Sequence, residues 1–242
     1  MTAPVRLILD EPPHSGTWNM AVDAALLEES LHSGTTFVRL YRWAEPTVSL
    51  GYFQKPEETQ TDLRLSHLPC VRRLSGGGAI LHDQEQTYSC VLPPTHQLAE
   101  QPSRLYDLIH SLVVALLRER GVDVQPRGRD SKNSVEPFLC FLREASPDLV
   151  FHGHKVLGSA QRRRRGAVLQ HGSLLLRSSA SATELLGLSD LIATFCWTAD
   201  DSAELGQRMA QAIGDSVTVG ELPQAVLSRV LSSGITSELP PP

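Results

Sequence analysis

Cysteine is scarce in this 242-residue sequence. The four residues, Cys70, Cys90, Cys140 and Cys196, form no CxxC pair and show no metal-type spacing, so a zinc module is not indicated. No apolar run is long enough to span a bilayer, and the first residues lack the basic, apolar and small-residue order of a secretory leader. Positive charge is also in deficit. Twenty-two Lys and Arg against 27 Asp and Glu leave a net charge of −5, which argues against a general affinity for nucleic acid. No internal repeat is found. A bacterial-type cytoplasmic protein with reduced thiols is the simplest expectation. What is present is ordinary globular material: 41% apolar and 20% charged residues, enough for one sizeable core and too apolar for disorder.

Hydrophobic periodicity organises the chain as a mixture of strands and helices. Strands are expected over residues 5–9, 36–43, 47–50, 71–74, 87–92, 122–124, 148–151, 154–161 and 167–176, the last three as a meander turning at Gly153 and at an arginine-rich turn. Pro12 and Pro13 are expected to break the first strand. Helices are expected over 18–31 with Thr17 as cap, 57–65, 103–118, 183–186, 203–213 and 221–231, with a polar loop over 126–138. This order predicts an α+β domain on a mixed sheet. The domain should occupy residues 1–231, and residues 232–242 should form a frayed tail.

Two segments break the ordinary pattern. Arg72 and Arg73 lead into Leu74, Ser75, Gly76, Gly77 and Gly78, and three glycines in succession suit neither a helix interior nor a strand. They do suit a close backbone approach to a bound group, with N–H donors free, beside fixed positive charge for a phosphate or carboxylate. Alone, the triplet would read as a hairpin. The second segment runs from Gly153, His154 and Lys155 to Gly158, Ser159, Ala160 and Gln161, where a lysine at a strand start would ordinarily be a solvated edge residue. Arg162, Arg163, Arg164 and Arg165 then form a basic cluster, either a solvated loop or a docking patch for an acidic carrier protein or a phosphate.

Together with Trp18, Asn19, Met20 and Asp23, the run Pro46 to Gln54, Thr87-Tyr88-Ser89, Cys140-Phe141 and Gln170-His171-Gly172-Ser173, these segments resemble the lipoate- and octanoate-handling family in the same order. That family contains lipoate–protein ligases and octanoyltransferases. The resemblance implies a single biotin/lipoate-ligase-like catalytic domain, with mixed, mostly antiparallel sheets flanked by helices. Read alone, Cys140 between Leu139 and Phe141 is more often a small core residue. In the transferases that the chain resembles, such a cysteine attacks the thioester of octanoyl-acyl-carrier protein to give a thioacyl-enzyme. Arg143 and Glu144 depart from the more apolar stretch expected after it. Cys70, Cys90 and Cys196 read as core.

The resemblance implies that Lys155 points into the acyl pocket and stabilises developing oxyanion charge, with Gly158, Ser159 and Ala160 letting the chain pass close to the acyl group. Arg72, Ser75, Gly76, Gly77 and Gly78 would form another wall. His82 and Asp83 serve either turn chemistry or alignment of an attacking amine. His171 is either a pocket residue or a hydrogen-bonded core histidine. Asn19 and Asp23, four apart on one helix face, are expected to be structural hydrogen-bonders behind the glycine loop.

The expected activity is transfer of an octanoyl (or lipoyl) group, with octanoyl-acyl-carrier protein as donor, to a lysine of a lipoyl-domain or glycine-cleavage carrier protein, with no cofactor and no metal. The alternatives are an ATP- and Mg-dependent lipoate–protein ligase, an amidotransferase moving octanoyl between carrier proteins, and a non-catalytic acyl- or carrier-protein-binding module. Cys140 favours a transferase, as do the run His82 to Ser89 and the short stretch after the meander, where ligases commonly carry an accessory domain. The basic Gly-Arg-Gly-Arg loop of biotin ligases is absent, and Gly128-Arg129 is only a superficial echo. Neither nucleic acid nor membrane is an expected partner.

Overall fold

The computed structural model describes residues 4–55, 57, 62–128 and 137–234. In chain order these form β1 (Pro4–His14), α1 (Gly16–Ser33), β2 (Thr36–Trp43), β3 (Thr47–Leu50), β4 (Cys70–Arg72), β5 (Ile80–His82), β6 (Glu85–Leu92), α2 (Gln97–Glu100) and α3 (Pro102–Glu119). After these come β7 (Gln125–Pro126), a 3-10 turn (Cys140–Leu142), β8 (Leu149–Phe151), β9 (His154–Arg164), β10 (Ala167–Leu175), α4 (Leu188–Leu191), α5 (Ala199–Ile213), β11 (Ser216–Val219) and α6 (Gln224–Ser232). Among the described residues no helix is long and apolar enough to cross a membrane.

An eight-stranded sheet runs in the order β11-β1-β2-β6-β10-β9-β8-β7, and a three-stranded sheet in the order β4-β3-β5. β1 is parallel to β11 and β2, and the remaining pairs of the large sheet are antiparallel. Alternation along the strands divides the core. Leu7, Val38, Leu40, Cys90 and Val168 pack with α3 and α5 on one face, while Ile8, Phe37, Val91 and Leu169 pack with α1 and α6 on the other. Because both faces are covered, β6 and β10 are buried at every position, polar residues included. The small sheet closes a third cluster with Leu139, Phe141 and Leu185. The result is the expected α+β domain with helices flanking mixed, mostly antiparallel sheets.

Several local expectations change. β1 continues through Pro12 and Pro13, because β11 pairs only as far as Leu7 and a register shift lies between Asp10 and His14, so no ladder N–H is needed there. Ser15, not Thr17, caps α1 by accepting from the Trp18 amide. Residues 122–124 are unpaired, and pairing begins at Gln125. Residues 183–186 form turns rather than a helix, and α4 starts after Gly187, where an added Cβ would overlap the Arg177 backbone. β11, which sequence reading missed, adds a parallel edge strand. The arginines 162–164 continue β9, and the β9–β10 turn itself is Arg165-Gly166, both at positive φ, as are His152-Gly153 in the β8–β9 turn at the other end of β9. Cys90 is buried as expected, but Cys70 and Cys196 are exposed: Cys70 lies on the edge strand of the small sheet and Cys196 in the connection before α5. Residues 58–61 of the expected 57–65 helix, residues 129–136 of the polar loop and residues 235–242 of the tail lie outside the described residues.

Candidate active site

The glycine loop connects β4 to β5 and is shaped from inside by an arginine. Arg73 is buried, and its guanidinium donates to the carbonyls of Gly76 and Gly78, each at 2.7 Å, and to Ser49 O at 2.8 Å. Three donors in a rigid fork hold three carbonyls, which leaves the loop amides free of that role. Gly77 sits at φ +92°, and Gly51 packs so closely on the Gly77 carbonyl that a Cβ there would overlap it. Burial pushes the Arg73 pKa down to about 10, against an upward pull from Cys140, so it stays charged near neutrality.

The cysteine segment is stitched onto this loop. Ala79 and Leu139 form a parallel bridge, and the Cys140 amide donates to Ala79 O at 2.6 Å. Half-buried Cys140 faces Gly77 and the Arg73 guanidinium, while neighbouring Phe141 is buried. Arg143, where the sequence departs from the expected apolar stretch, donates to Pro137 O and fills the space left by the missing side chain of Gly78.

Lys155 enters from β9 and is no edge residue: its side chain is 4% exposed. Its Nζ lies 2.9 Å from Asp148 Oδ1, 3.2 Å from Cys140 O and 5.1 Å from the Phe141 ring centroid. Gly158 makes room for it, since a Cβ there would stand 2.7 Å from Lys155 Cε. Burial raises the Asp148 pKa, and Lys155 offsets only part of that.

Polar chains back the floor of the site. His171 Nε2 meets Ser75 Oγ at 2.5 Å and its Nδ1 lies 3.5 Å from Asp23 Oδ2. Asp23 also accepts from Arg39, Tyr41 and Ser89, and Asn19 accepts from Arg39, so this pair from α1 is buried and structural, as expected. Burial opposes the charge on Asp23, but His171, Arg39 and Ser89 together hold its pKa below the usual range. His82 links Ser49 Oγ to Glu85 Oε1, both at 2.7 Å, beneath the stacked Trp43 ring. Burial lowers the His82 pKa; it raises that of Glu85, but His82 and the hydroxyls of Thr87 and Ser173 outweigh it and keep Glu85 ionised. Ser159 Oγ bonds Tyr88 OH at 2.7 Å and His110 Nε2 at 2.8 Å.

These elements enclose one cavity of about 450 Å³, within the usual range for a small-molecule site. Cys140, Lys155, Gly76, Gly77, Gly78, His82, Gly158, Ser159, Ala160 and His171 all line it. Ser75 stands behind His171 as its hydrogen-bond partner. Asp83 and Arg72 do not line the cavity. Arg72 is exposed and donates to Gly51 O, Tyr52 O and Gln54 O, and Arg73 takes the cavity side. Strand alternation separates the two, and parity alone could not tell which one faced in. Sequence reading also missed Arg73's role, Tyr106 and Asp148. Asp148 left a signal: a buried lysine needs a counter-charge, and Asp148 lies two residues before Val150, which pairs with Lys155 across the hairpin. Of the basic cluster, Arg162 is half-buried and stacks on Tyr52 at 4.5 Å, while Arg163, Arg164 and Arg165 are exposed, Arg164 paired with Glu28. Among the described residues no group of three or more His, Cys, Asp or Glu side chains is arranged to hold a metal ion.

The two-sheet α+β architecture is shared with solved lipoate–protein ligases. The bipartite lipoate protein ligase of Thermoplasma acidophilum, described with its E2 lipoyl domain, superposes with a TM-score of 0.71 at 20% identity, covering 95% of this chain and 91% of that one. A lipoate-protein ligase A bound with ATP gives 0.71 at 20% identity over 96% and 94%. The sequence pattern of the lipoyl protein ligase A/B catalytic domain matches residues 15–192, and the chain belongs to that family. Among curated relatives, octanoyltransferase LipM of Halalkalibacterium halodurans is 36% identical over 180 residues, covering 69% of this chain and 64% of the relative. Octanoyltransferase LipM of Moorella thermoacetica is 38% identical over 185 residues, covering 73% and 67%. The chain thus spans about 64% of the length of the first of these relatives.

Proposed function

We propose that this protein is a cytoplasmic octanoyltransferase of protein lipoylation that works through a Cys140 thioacyl-enzyme. The observation that carries this reading is the placement of a half-buried thiol, a buried ammonium and the glycine loop on one cavity. Its likeness to octanoyltransferases LipM supports the same reaction class. The Cys140 thiolate attacks the carbonyl of octanoyl-acyl-carrier protein, the tetrahedral intermediate collapses, and the carrier thiol leaves with a proton. The amine of an acceptor lysine then attacks the Cys140 thioester. An amide forms, the amine proton is lost and the cysteine is regenerated. Lys155 stabilises the oxyanion in both steps, and Gly158, Ser159 and Ala160 give the acyl chain passage. The acceptor is a lipoyl domain or a glycine-cleavage carrier protein, and the exposed arginines Arg163 and Arg165 offer an acidic carrier a complementary surface.

A transferase starts from an activated thioester, so neither ATP nor magnesium enters the reaction. The test is intact-mass measurement after mixing the protein with octanoyl-acyl-carrier protein without ATP. One octanoyl group should appear on the wild type and none on Cys140→Ser, and only the acylated wild type should pass the group to a lipoyl domain. Attachment of free octanoate or lipoate that requires ATP, with Cys140→Ser fully active, would replace this reading with a ligase.

A further inference from the structure

Lys155 is anchored from two sides, and one anchor has no place in the reaction above. Asp148 immediately precedes β8, and both of its carboxylate oxygens are engaged: Oδ2 accepts from the Ala145 amide at 2.8 Å, and Oδ1 meets Lys155 Nζ at 2.9 Å. Its backbone is held as well, since its amide donates to Ala145 O at 3.0 Å and its carbonyl accepts from the Arg127 amide at 2.8 Å. The carboxylate is therefore fixed by a local turn before Lys155 reaches it. An ammonium has three N–H donors in a roughly tetrahedral set. Two are taken, by Asp148 and by the Cys140 carbonyl at 3.2 Å, and the side chain that carries them lines the cavity. The two anchors differ in kind. The Cys140 carbonyl moves with the nucleophile's own turn, whereas Asp148 belongs to the β8–β9 hairpin.

We propose that Asp148 is a positioning residue for the acylation reaction: it holds the Lys155 ammonium against the Cys140 turn, so that the remaining N–H is presented to the acyl oxygen. The proposal rests on the transferase reading of Cys140. Asp148 acts only through Lys155, and removing it should impair catalysis only where Lys155 is present.

The experiment is a double-mutant cycle on single-turnover acylation of Cys140 by octanoyl-acyl-carrier protein, using wild type, Asp148→Asn, Lys155→Met and the double variant, with melting temperatures alongside. Asp148→Asn keeps the shape and an oxygen for the Ala145 amide but gives up the charge. It should slow acylation by about tenfold or more, with little change in half-saturation by the carrier. The double variant should be no slower than Lys155→Met alone. Asp148→Glu should recover part of the rate by restoring a carboxylate. A separate readout needs no substrate. The Lys155 side-chain ammonium resonance should be observable by NMR in the wild type, where its protons are shielded in hydrogen bonds, and should be lost to solvent exchange in Asp148→Asn. Equal slowing by Asp148→Asn in the wild-type and Lys155→Met backgrounds would overturn the proposal, as would a wild-type rate in Asp148→Asn. An unchanged Lys155 resonance in that variant would overturn it too. If the wild type takes up no octanoyl group, the transferase reading fails, while the NMR comparison still decides whether Asp148 holds Lys155.

Discussion

Acidification should loosen this protein through His110 in a window set by that residue's burial. His110 lies on α3, is 5% exposed, and is bonded on both sides: Nδ1 meets Pro147 O at 2.6 Å and Nε2 meets Ser159 Oγ at 2.8 Å. A carbonyl can only accept, so Nδ1 carries the proton and Nε2 accepts from the Ser159 hydroxyl, which is the neutral tautomer. Burial lowers the pKa of His110 to about 4, against a pull upward from the Pro147 carbonyl. The unfolded chain therefore binds a proton at His110 near pH 6.5, while the folded protein waits until about pH 4. Stability from this residue is fully present above pH 6.5 and is lost as the pH falls toward 4. A gap of about two and a half units, at about 1.4 kcal/mol per unit, corresponds to roughly 3 kcal/mol, most of it gone by pH 4.5. The assay is urea unfolding from pH 7.5 to 4.5 on wild type and His110→Gln, which lacks the titrating group. The wild type should lose about 2–3 kcal/mol more than the variant over that range. Parallel pH profiles for the two proteins would refute the reasoning and place His110 in a solvated, ordinary environment.

Lys155→Met should slow Cys140 acylation by roughly 10²–10³, the usual cost of losing one oxyanion donor, and a near-normal single-turnover rate would remove Lys155 from the chemistry. The same change should lower the melting temperature, because it leaves the Asp148 carboxyl buried without its cation, and Asp148→Asn added to it should restore part of the loss. Gly172→Ala should destabilise by roughly 1–3 kcal/mol, since the new Cβ would overlap Ser159 Oγ and the Tyr88 ring; an unshifted urea midpoint would contradict that packing. Arg73→Ala should abolish acylation by releasing the carbonyls of Gly76 and Gly78. Arg72→Ala should keep most activity and instead speed hydrogen exchange over residues 51–54; the reverse ranking would exchange the roles of the two arginines.

Much of this protein was legible before any coordinates. Alternation and helical periodicity placed β2, β3, α1, α3 and the β8–β10 meander within a few residues of their positions, because their signals are local: side-chain period, capping, and glycine in tight turns. The order of the glycine loop, Cys140-Phe141 and the Lys155 segment pointed to the family, and those segments do converge on one cavity. Local signals say nothing about partners far along the chain. That β11 pairs with β1, that Pro12 and Pro13 sit where no ladder bond is needed, and that Cys70 is exposed on an edge all depend on which strands become neighbours. The same holds inside the site. Sequence could mark an arginine pair before the glycines, but only the packing of Ser49, Gly76 and Gly78 around one guanidinium turned Arg73 inward and left Arg72 outside. It could mark Lys155, but not the burial that makes Asp148 its necessary partner, since a charge needs a counter-charge only once the fold has removed its water.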